Sequence, residues 1–156
     1  MGVATAIPLS DDGPADDRQV LRNEADRLRV LIVDDSDLFA AGLRLVLEGD
    51  GSIQVVGRAH NGRVGVAMAS ALSPDVVVMD LNMPVMDGIE ATRRITEQSQ
   101  VPVLVLTASP MPCGDVVARA AGACGLLDKQ TDGRELRARI REAGASRRRP
   151  VTPLML

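Results

Sequence analysis

The sequence predicts a doubly wound α/β fold, a (βα)5 unit whose five-stranded parallel sheet has the order 2-1-3-4-5. Three observations predict it. Short aliphatic runs at 29–33, 53–59, 75–79, 101–106 and 124–127 alternate with segments of helical spacing. The runs at 76–79 and 103–106 are almost continuously apolar, as strands buried on both faces must be. The residues that follow runs one, three, four and five are acids, a hydroxyl and an ammonium, whereas the second run ends in His60 and Asn61. Ligands of open parallel sheets bind outside the carboxyl ends of the strands, so these groups converge only if four of the strands are neighbours and the second lies outside.

The 156 residues, 46% hydrophobic and 25% charged, suit one packed domain and are too few for two ordinary ones. Residues 1–27 mix Pro8, Gly13, Pro14 and a cluster of aspartates, a composition that buries little and predicts a flexible leader. The domain is expected over 28–145, and 146–156 as a short tail. After the first strand, Phe39, Gly42, Leu43, Val46 and Leu47 recur at i, i+3, i+4, i+7 and i+8, which predicts a helix with that face buried. In the last helix Leu136, Ile140 and Ala143 form the apolar stripe, with arginines opposite. There is no internal repeat.

Charge and composition exclude several classes. The net charge is −3, distributed as −3 over residues 1–28, −5 over 29–133 and +5 over 134–156. An acidic chain is a poor nucleic-acid binder, and Arg147, Arg148 and Arg149 suit a solvated helix end better than a DNA contact. Phe39 is the sole aromatic residue, so no base-stacking platform can be built. Lys129 is the sole lysine among 18 basic residues. Cys113 and Cys124 fit neither a disulfide framework nor a zinc site, and no secretory signal precedes them, so a cytoplasmic setting is expected. No apolar run spans a bilayer, and Ala6 stands where myristoylation would need Ser or Thr.

The chemistry is expected at Asp34, Asp35, Asp80, Thr107, Asp128 and Lys129. Three carboxylates held together are unfavourable unless a cation neutralises them, and hard oxygen ligands suit Mg2+. Asp34 and Asp35 alone would read as a helix start, with Ser36 or Asp37 as cap. Their joint placement with Asp80 calls for a metal, and a carboxylate beside it, with a hydroxyl and an ammonium near, is arranged to attack a phosphoryl group. Asp80 is the nucleophile candidate, since it follows a buried strand and opens DLNMPVMDG at 80–88, a loop punctuated by Pro84 and Gly88. His60 is expected on a surface loop, Met83 and Met86 as loop packing, and Cys113 as an unreactive thiol.

These residues carry a resemblance. VDDS at 33–36, DLNMPVMDG at 80–88, Thr107 in VLTAS and GLLDK ending at Lys129 make residues 29–145 resemble a bacterial two-component response regulator receiver domain, the CheY-like, flavodoxin-like module. The NGRVGV stretch and the pair Gly122 and Ala123 resemble receivers of the LuxR/NarL type. The resemblance implies that Asp80 is the phosphoacceptor and that Asp34, Asp35, Asp80 and the backbone carbonyl of Asn82 hold Mg2+. It implies that Thr107 and Lys129 bind phosphoryl oxygens, that Asn82 and Ser109 sit where hydrolysis of the acyl phosphate is tuned, and that the domain is a switch, not an enzyme. It implies a sensor histidine kinase or phosphotransfer protein as donor, docking near residues 38–45, and a downstream protein partner. A homodimer would form through helix 4, strand 5 and helix 5. No direct DNA or membrane contact is expected, because 146–156 is too short for a helix-turn-helix, which makes the chain a stand-alone receiver.

Two departures from the family pattern stand out. Leu126 and Leu127 occupy the positions where receivers carry an aromatic switch residue, and Gln130 stands where proline often follows the lysine. A phosphorylation-independent adaptor, or the receiver half of a regulator that lost its DNA-binding domain, is the alternative reading. A dinucleotide-binding unit is disfavoured because its first turn would need glycines where DDSD stands. A haloacid-dehalogenase-type phosphatase would need a second aspartate at 82, where Asn82 stands.

Overall fold

A computed structural model describes residues 24–148. Its elements are β1 (Leu28–Val33), α1 (Asp37–Glu48), β2 (Ile53–Ala59), α2 (Gly62–Leu72), β3 (Val76–Asp80), α3 (Gly88–Gln98), β4 (Val103–Thr107), α4 (Gly114–Ala120), β5 (Gly125–Asp128) and α5 (Gly133–Arg148). The sheet is parallel throughout and ordered β2-β1-β3-β4-β5, the arrangement the strand-end chemistry predicts. Strand bounds lie within two residues of those read from the aliphatic runs. The leader expected over 1–27 falls mostly outside the described residues, although 24–26 form a helical turn just before β1.

Side chains alternate across each strand, which divides the interior into two cores. Val30, Ile32, Val76, Val78, Leu104 and Leu106 face α1 and α5, where Leu43, Leu47, Leu136 and Ile140 cover them. Leu31, Val33, Val77, Met79, Val103 and Val105 face the other way, under Ala69, Ala91, Ile95 and Ala118 of α2, α3 and α4. Because both faces are covered, β3 and β4 are buried at every position, and no polar alternation survives in their sequence.

The buried face of α1 differs from the one the spacing predicts. Ala40, Leu43 and Leu47 are the buried residues, whereas Gly42 and Val46 are exposed and Phe39 is partly buried. Phe39 packs instead beside Lys129, whose ammonium stands 4.2 Å from the ring centroid. α5 behaves as predicted at Leu136 and Ile140, and it runs on to Arg148, so residues 146–148, expected in the tail, are helical. Residues 149–156 lie outside the described residues. Part of the arginine-rich face is used internally. The Asp50 carboxylate accepts from Ser52 N (3.0 Å) and Ser52 Oγ (2.6 Å), and its other oxygen accepts from Arg141 Nη1 at 2.9 Å. Arg137 Nε lies 3.4 Å from that oxygen, and Arg137 Nη1 donates to Val46 O at 2.8 Å. The Ser52 hydrogen bonds first, and then the arginines, hold Asp50 below the usual carboxylate range.

The turn from α4 into β5 explains the glycine of the Gly122 and Ala123 pair. Gly122 N donates to Arg119 O (2.9 Å) and Ala123 N to Ala118 O (3.0 Å), the paired bonds that close a helix through a left-handed residue. Gly122 has φ 104, and a Cβ there would stand 2.5 Å from Thr96 Oγ1. That hydroxyl is shared between Thr92 O (2.9 Å) in its own helix and Ala121 O (3.1 Å), so it ties α3 to the end of α4. Gly122→Ala is therefore expected to destabilise the fold by about 2 kcal/mol, the combined cost of a left-handed non-glycine residue and a clash. In urea unfolding the midpoint falls and the slope is unchanged.

Candidate functional site

The β1–α1 turn carries two of the acids. Asp34, 2% exposed, points inward, and its Oδ1 accepts Ser36 N at 2.8 Å. Its own amide donates to Ala59 O at the end of β2 (3.0 Å). Ser36 caps α1, its hydroxyl accepting Phe39 N at 3.2 Å, so the cap is the serine and not Asp37. Asp35 is exposed. Across β1 stands Asp80, 6% exposed, at the end of β3. One carboxylate oxygen from each of Asp34, Asp35 and Asp80 lies within 4.8 Å of the others.

Lys129 closes the cluster from β5. Its amide donates to Thr107 O (2.8 Å), and its Nζ lies 2.8 Å from Asp34 Oδ2 and 3.2 Å from Asp80 Oδ1. The ammonium also stands 4.2 Å from the centroid of the Phe39 ring, so the sole lysine and the sole aromatic of the chain touch. The following loop is tied down, because Gln130 N donates to Asp128 Oδ1 at 2.8 Å. A proline at that position would have no such donor. Asp128 is thereby used in its own turn and does not join the acid cluster.

The loop after Asp80 is shaped by close backbone approach. Leu81 N donates to Leu106 O (3.2 Å) and Gly88 N returns to Leu81 O (3.0 Å). A Cβ on Gly88 would stand 2.1 Å from the Asp80 carbonyl oxygen, so only glycine lets α3 start this close to the acid. Asp87 caps α3 by accepting Glu90 N at 2.8 Å. Between them Met86 N donates to Pro84 O (2.8 Å), a three-residue turn that places the exposed, β-branched Val85 at φ 71. Met83 and Met86 pack against the core under α2 and α3, as expected of loop packing.

Thr107 is fully buried, and its hydroxyl is engaged with the backbone of Ser109, whose N and O both lie 3.2 Å away. Leu126 and Leu127 point to opposite sides of the sheet. Leu127 packs into the core under α1 and α5. Leu126 lines an apolar cavity of about 420 Å3 together with Thr107, Asn82, Ile89, Met111 and Val117. Of the two candidate switch positions, only Leu126 thus shares a space with Thr107. His60 is exposed, with Nδ1 3.8 Å from Asp37. Both cysteines are free thiols.

Sequence reasoning missed one cation near the acids. Arg58, at the end of β2, donates from Nη2 (3.0 Å) and Nε (3.3 Å) to the backbone carbonyl of Asp34, and from Nη1 to Asp37 Oδ1. Its acceptor at Asp34 is a backbone atom, so no side-chain pairing in the sequence signals it.

Burial and the neighbouring Asp34 carboxylate push Asp80 above the ordinary carboxylate range, and Lys129 only partly opposes them. For Lys129, burial is the largest single influence and would lower it, but the Asp34 hydrogen bond and the Asp80 and Asp34 charges together hold it above its ordinary value. The donor set, three carboxylates with two of them buried, suits a hard divalent cation with oxygen ligands. Asp34, Asp35 and Asp80 are the residues able to hold it.

A five-stranded parallel sheet ordered 2-1-3-4-5, whose carboxyl edge carries two acids after β1, one at the end of β3, a hydroxyl at the end of β4 and a lysine after β5, is a module of the flavodoxin-like class. The chain belongs to the response regulator receiver domain family, whose sequence pattern matches residues 30–141, and it is thus a receiver domain of the two-component phosphorelay type. It is 40% identical over 121 residues to protein-glutamate methylesterase/protein-glutamine glutaminase 2 of Anaeromyxobacter dehalogenans, covering 73% of this chain and 36% of that protein. It is 38% identical over 108 residues to the transcriptional regulatory protein YdfI of Bacillus subtilis, covering 69% of this chain and 51% of that one. The receiver domain of the response regulator NarL from Mycobacterium tuberculosis superposes with a TM-score of 0.74 at 30% identity, over 77% of this chain and 98% of that one. The chain thus spans about a third to a half of the length of these two curated relatives. Receiver domains bind Mg2+ at an acidic pocket and interact with histidine kinases or phosphotransfer proteins. The receiver fold is not itself catalytic, and the esterase activity belongs to the name of the longer relative. Among the described residues no helix is long and apolar enough to cross a membrane.

The electrostatics give a stability prediction. A carboxyl held above its unfolded value favours the fold at low pH, and that contribution is lost as pH rises through the folded value. Above that value, in metal-free solution, an ionised Asp80 opposes the fold. Asp80→Asn is expected to raise the thermal midpoint there by a few degrees, on the order of 1 kcal/mol. Added Mg2+ should raise the wild-type midpoint more than that of the variant, narrowing the gap.

Proposed function

We propose that this receiver is a phosphorelay switch that accepts a phosphoryl group on Asp80 from a phosphohistidine of a sensor kinase or phosphotransfer protein, in a cytoplasmic setting. The observation that carries the reading is the placement of the buried Asp80 carboxylate 3.2 Å from Lys129 Nζ, with Asp34 and Asp35 beside it. Asp34, Asp35, Asp80 and the backbone carbonyl of Asn82 hold Mg2+, whose chemistry when bound is to neutralise charge on the phosphoryl oxygens. An Asp80 oxygen forms the new bond to phosphorus as the P–N bond of the donor breaks, and the departing imidazole, protonated on its other ring nitrogen, keeps that electron pair and ends neutral. Lys129 then exchanges a carboxylate for a phosphoryl oxygen, and the Thr107 hydroxyl takes another. Asn82 and Ser109 border the site and set how readily water reaches the acyl phosphate.

The surface supports the partners. Leu38 and Leu45 on α1 are 86% and 77% exposed, with Leu38 on the groove that Lys129 also lines, and they suit the docking of a donor protein. On the far side Val116 and Val117 of α4 are exposed next to β5, where a downstream protein or a second copy would read the switch through helix 4, strand 5 and helix 5. Leu126, in the cavity beside Thr107, is the residue through which that face senses the site.

Intact mass after incubation with acetyl phosphate and Mg2+ tests the assignment. One phosphoryl adduct is expected on the wild type and none on Asp80→Asn. Absence of the adduct with both acetyl phosphate and a cognate kinase overturns the switch reading and favours a phosphorylation-independent adaptor. Lys129→Arg is expected to retain the adduct while weakening the response of the Leu126 amide to it in NMR spectra, because a forked guanidinium cannot replace a compact ammonium between two carboxylates and a ring.

A further inference from the structure

We propose that Arg58 is a positioning residue for the metal-binding turn, holding Asp34 in place by hydrogen-bonding its backbone carbonyl. The inference rests on the reading of Asp34, Asp35 and Asp80 as a Mg2+ site. The end of β2 grips the Asp34 peptide on both sides: Ala59 O accepts the Asp34 amide at 3.0 Å, and the Arg58 guanidinium donates twice to the Asp34 carbonyl, at 3.0 and 3.3 Å. The strand register makes this possible, since Arg58 pairs with Ile32 and Ala59 with Val33 at the point where β1 turns toward α1. The third donor of Arg58 goes to Asp37.

The turn needs such a hold. Asp34, Asp35 and Asp37 place three negative charges within four residues, and their repulsion opposes the tight turn that aims Asp34 inward. Lys129 balances the charge on the inner side and Arg58 on the outer side. A guanidinium fork reaches a carbonyl and a carboxylate together, which an ammonium cannot do with the same geometry. The ion pair with Asp37 does not account for Arg58 as a stabilising contact. The Asp37 side chain is 84% exposed, and exposed pairs contribute little. The two bonds to the Asp34 carbonyl are the part that bears on the site, as outer-shell partners of metal-ligating residues do.

Charge and positioning predict opposite signs for the loss of Arg58. Removing a cation near a divalent metal site tightens binding by charge alone, whereas releasing the turn weakens it. On the full chain, Mg2+ titration followed by the amide signals of Asp35 and Asn82 is expected to show affinity about tenfold weaker or more in Arg58→Met, with partial recovery in Arg58→Lys. The thermal midpoint without metal should stay close to that of the wild type. In metal-free protein, hydrogen exchange at the Asp34 and Ser36 amides should be faster in Arg58→Met. Mg2+ binding in Arg58→Met as tight as in the wild type, or tighter, overturns the inference. A wild type that binds no Mg2+ overturns the metal reading instead. The exchange rates then decide the positioning on their own, since unchanged exchange overturns it and faster exchange upholds it.

Discussion

The ammonium of Lys129 between the carboxylates of Asp34 and Asp80 is the contact on which the carboxyl edge of the sheet depends. It joins the ends of three strands, β1, β3 and β5, and it is the inner counter-charge for two buried acids. An uncompensated buried carboxylate costs several kcal/mol, a large share of what a domain of this size has to spare. The position of Lys129 is over-determined: its amide is fixed to Thr107 O, its head is shared by two carboxylates, and the Phe39 ring stands 4.2 Å away. A single ammonium can hold this place because it is compact and can turn its three donors to different oxygens. On the reading proposed here a divalent ion would draw on the same carboxylates as that ammonium, which would link metal affinity to lysine position.

The backbone around the cluster is built for proximity more than for stability. Gly88 lets the first turn of α3 press against the Asp80 carbonyl, and the Val85 turn accepts a left-handed β-branched residue to bring the chain back in time. Both features fix where Asp80 ends and α3 begins, and both connect that point to the core through Met83, Met86 and Ile95. The acid is therefore mounted on packed elements, with β3 buried on both sides beneath it.

What the sequence made legible follows from which physical signal each feature leaves. The strands left near-continuous apolar runs because both of their faces are covered, and the sheet order followed from where the chemistry had to meet. The acids, Thr107 and Lys129 were legible because strand ends in such sheets point to one edge. The face of α1 was misread by part of a turn, since Phe39 and Val46 share its spacing but serve the groove beside Lys129 and not the central core. Leu126 and Leu127 were inseparable in the sequence, because adjacent strand residues differ only in the face they take, and that depends on register. Arg58 was invisible for a different reason: it acts on a carbonyl 24 residues away, and every residue has a carbonyl.

The missing aromatic changes how a signal would leave the site, on the reading proposed here. Thr107 holds its hydroxyl against the Ser109 backbone at 3.2 Å, a long neutral contact near the weak end of the range. Exchanging it for a charged phosphoryl oxygen gains roughly 1 kcal/mol, the difference between a neutral hydrogen bond and one to a charged group. Taking a two-state switch from nearly off to nearly on requires about 5.5 kcal/mol of differential stabilisation, so Thr107 alone falls well short. An aliphatic Leu126 has no polar tip to add a hydrogen bond in one state, and its contribution is limited to how well it fills the 420 Å3 cavity beside Thr107. Filling apolar space gains about 25 cal/mol for each Å2 buried, so covering on the order of 100 Å2 there would supply some 2.5 kcal/mol. The remaining ~2 kcal/mol would come from Lys129 leaving one carboxylate for the phosphoryl group, so that Leu126 and Lys129 together, on β5 and its loop, supply the larger part of the switching energy.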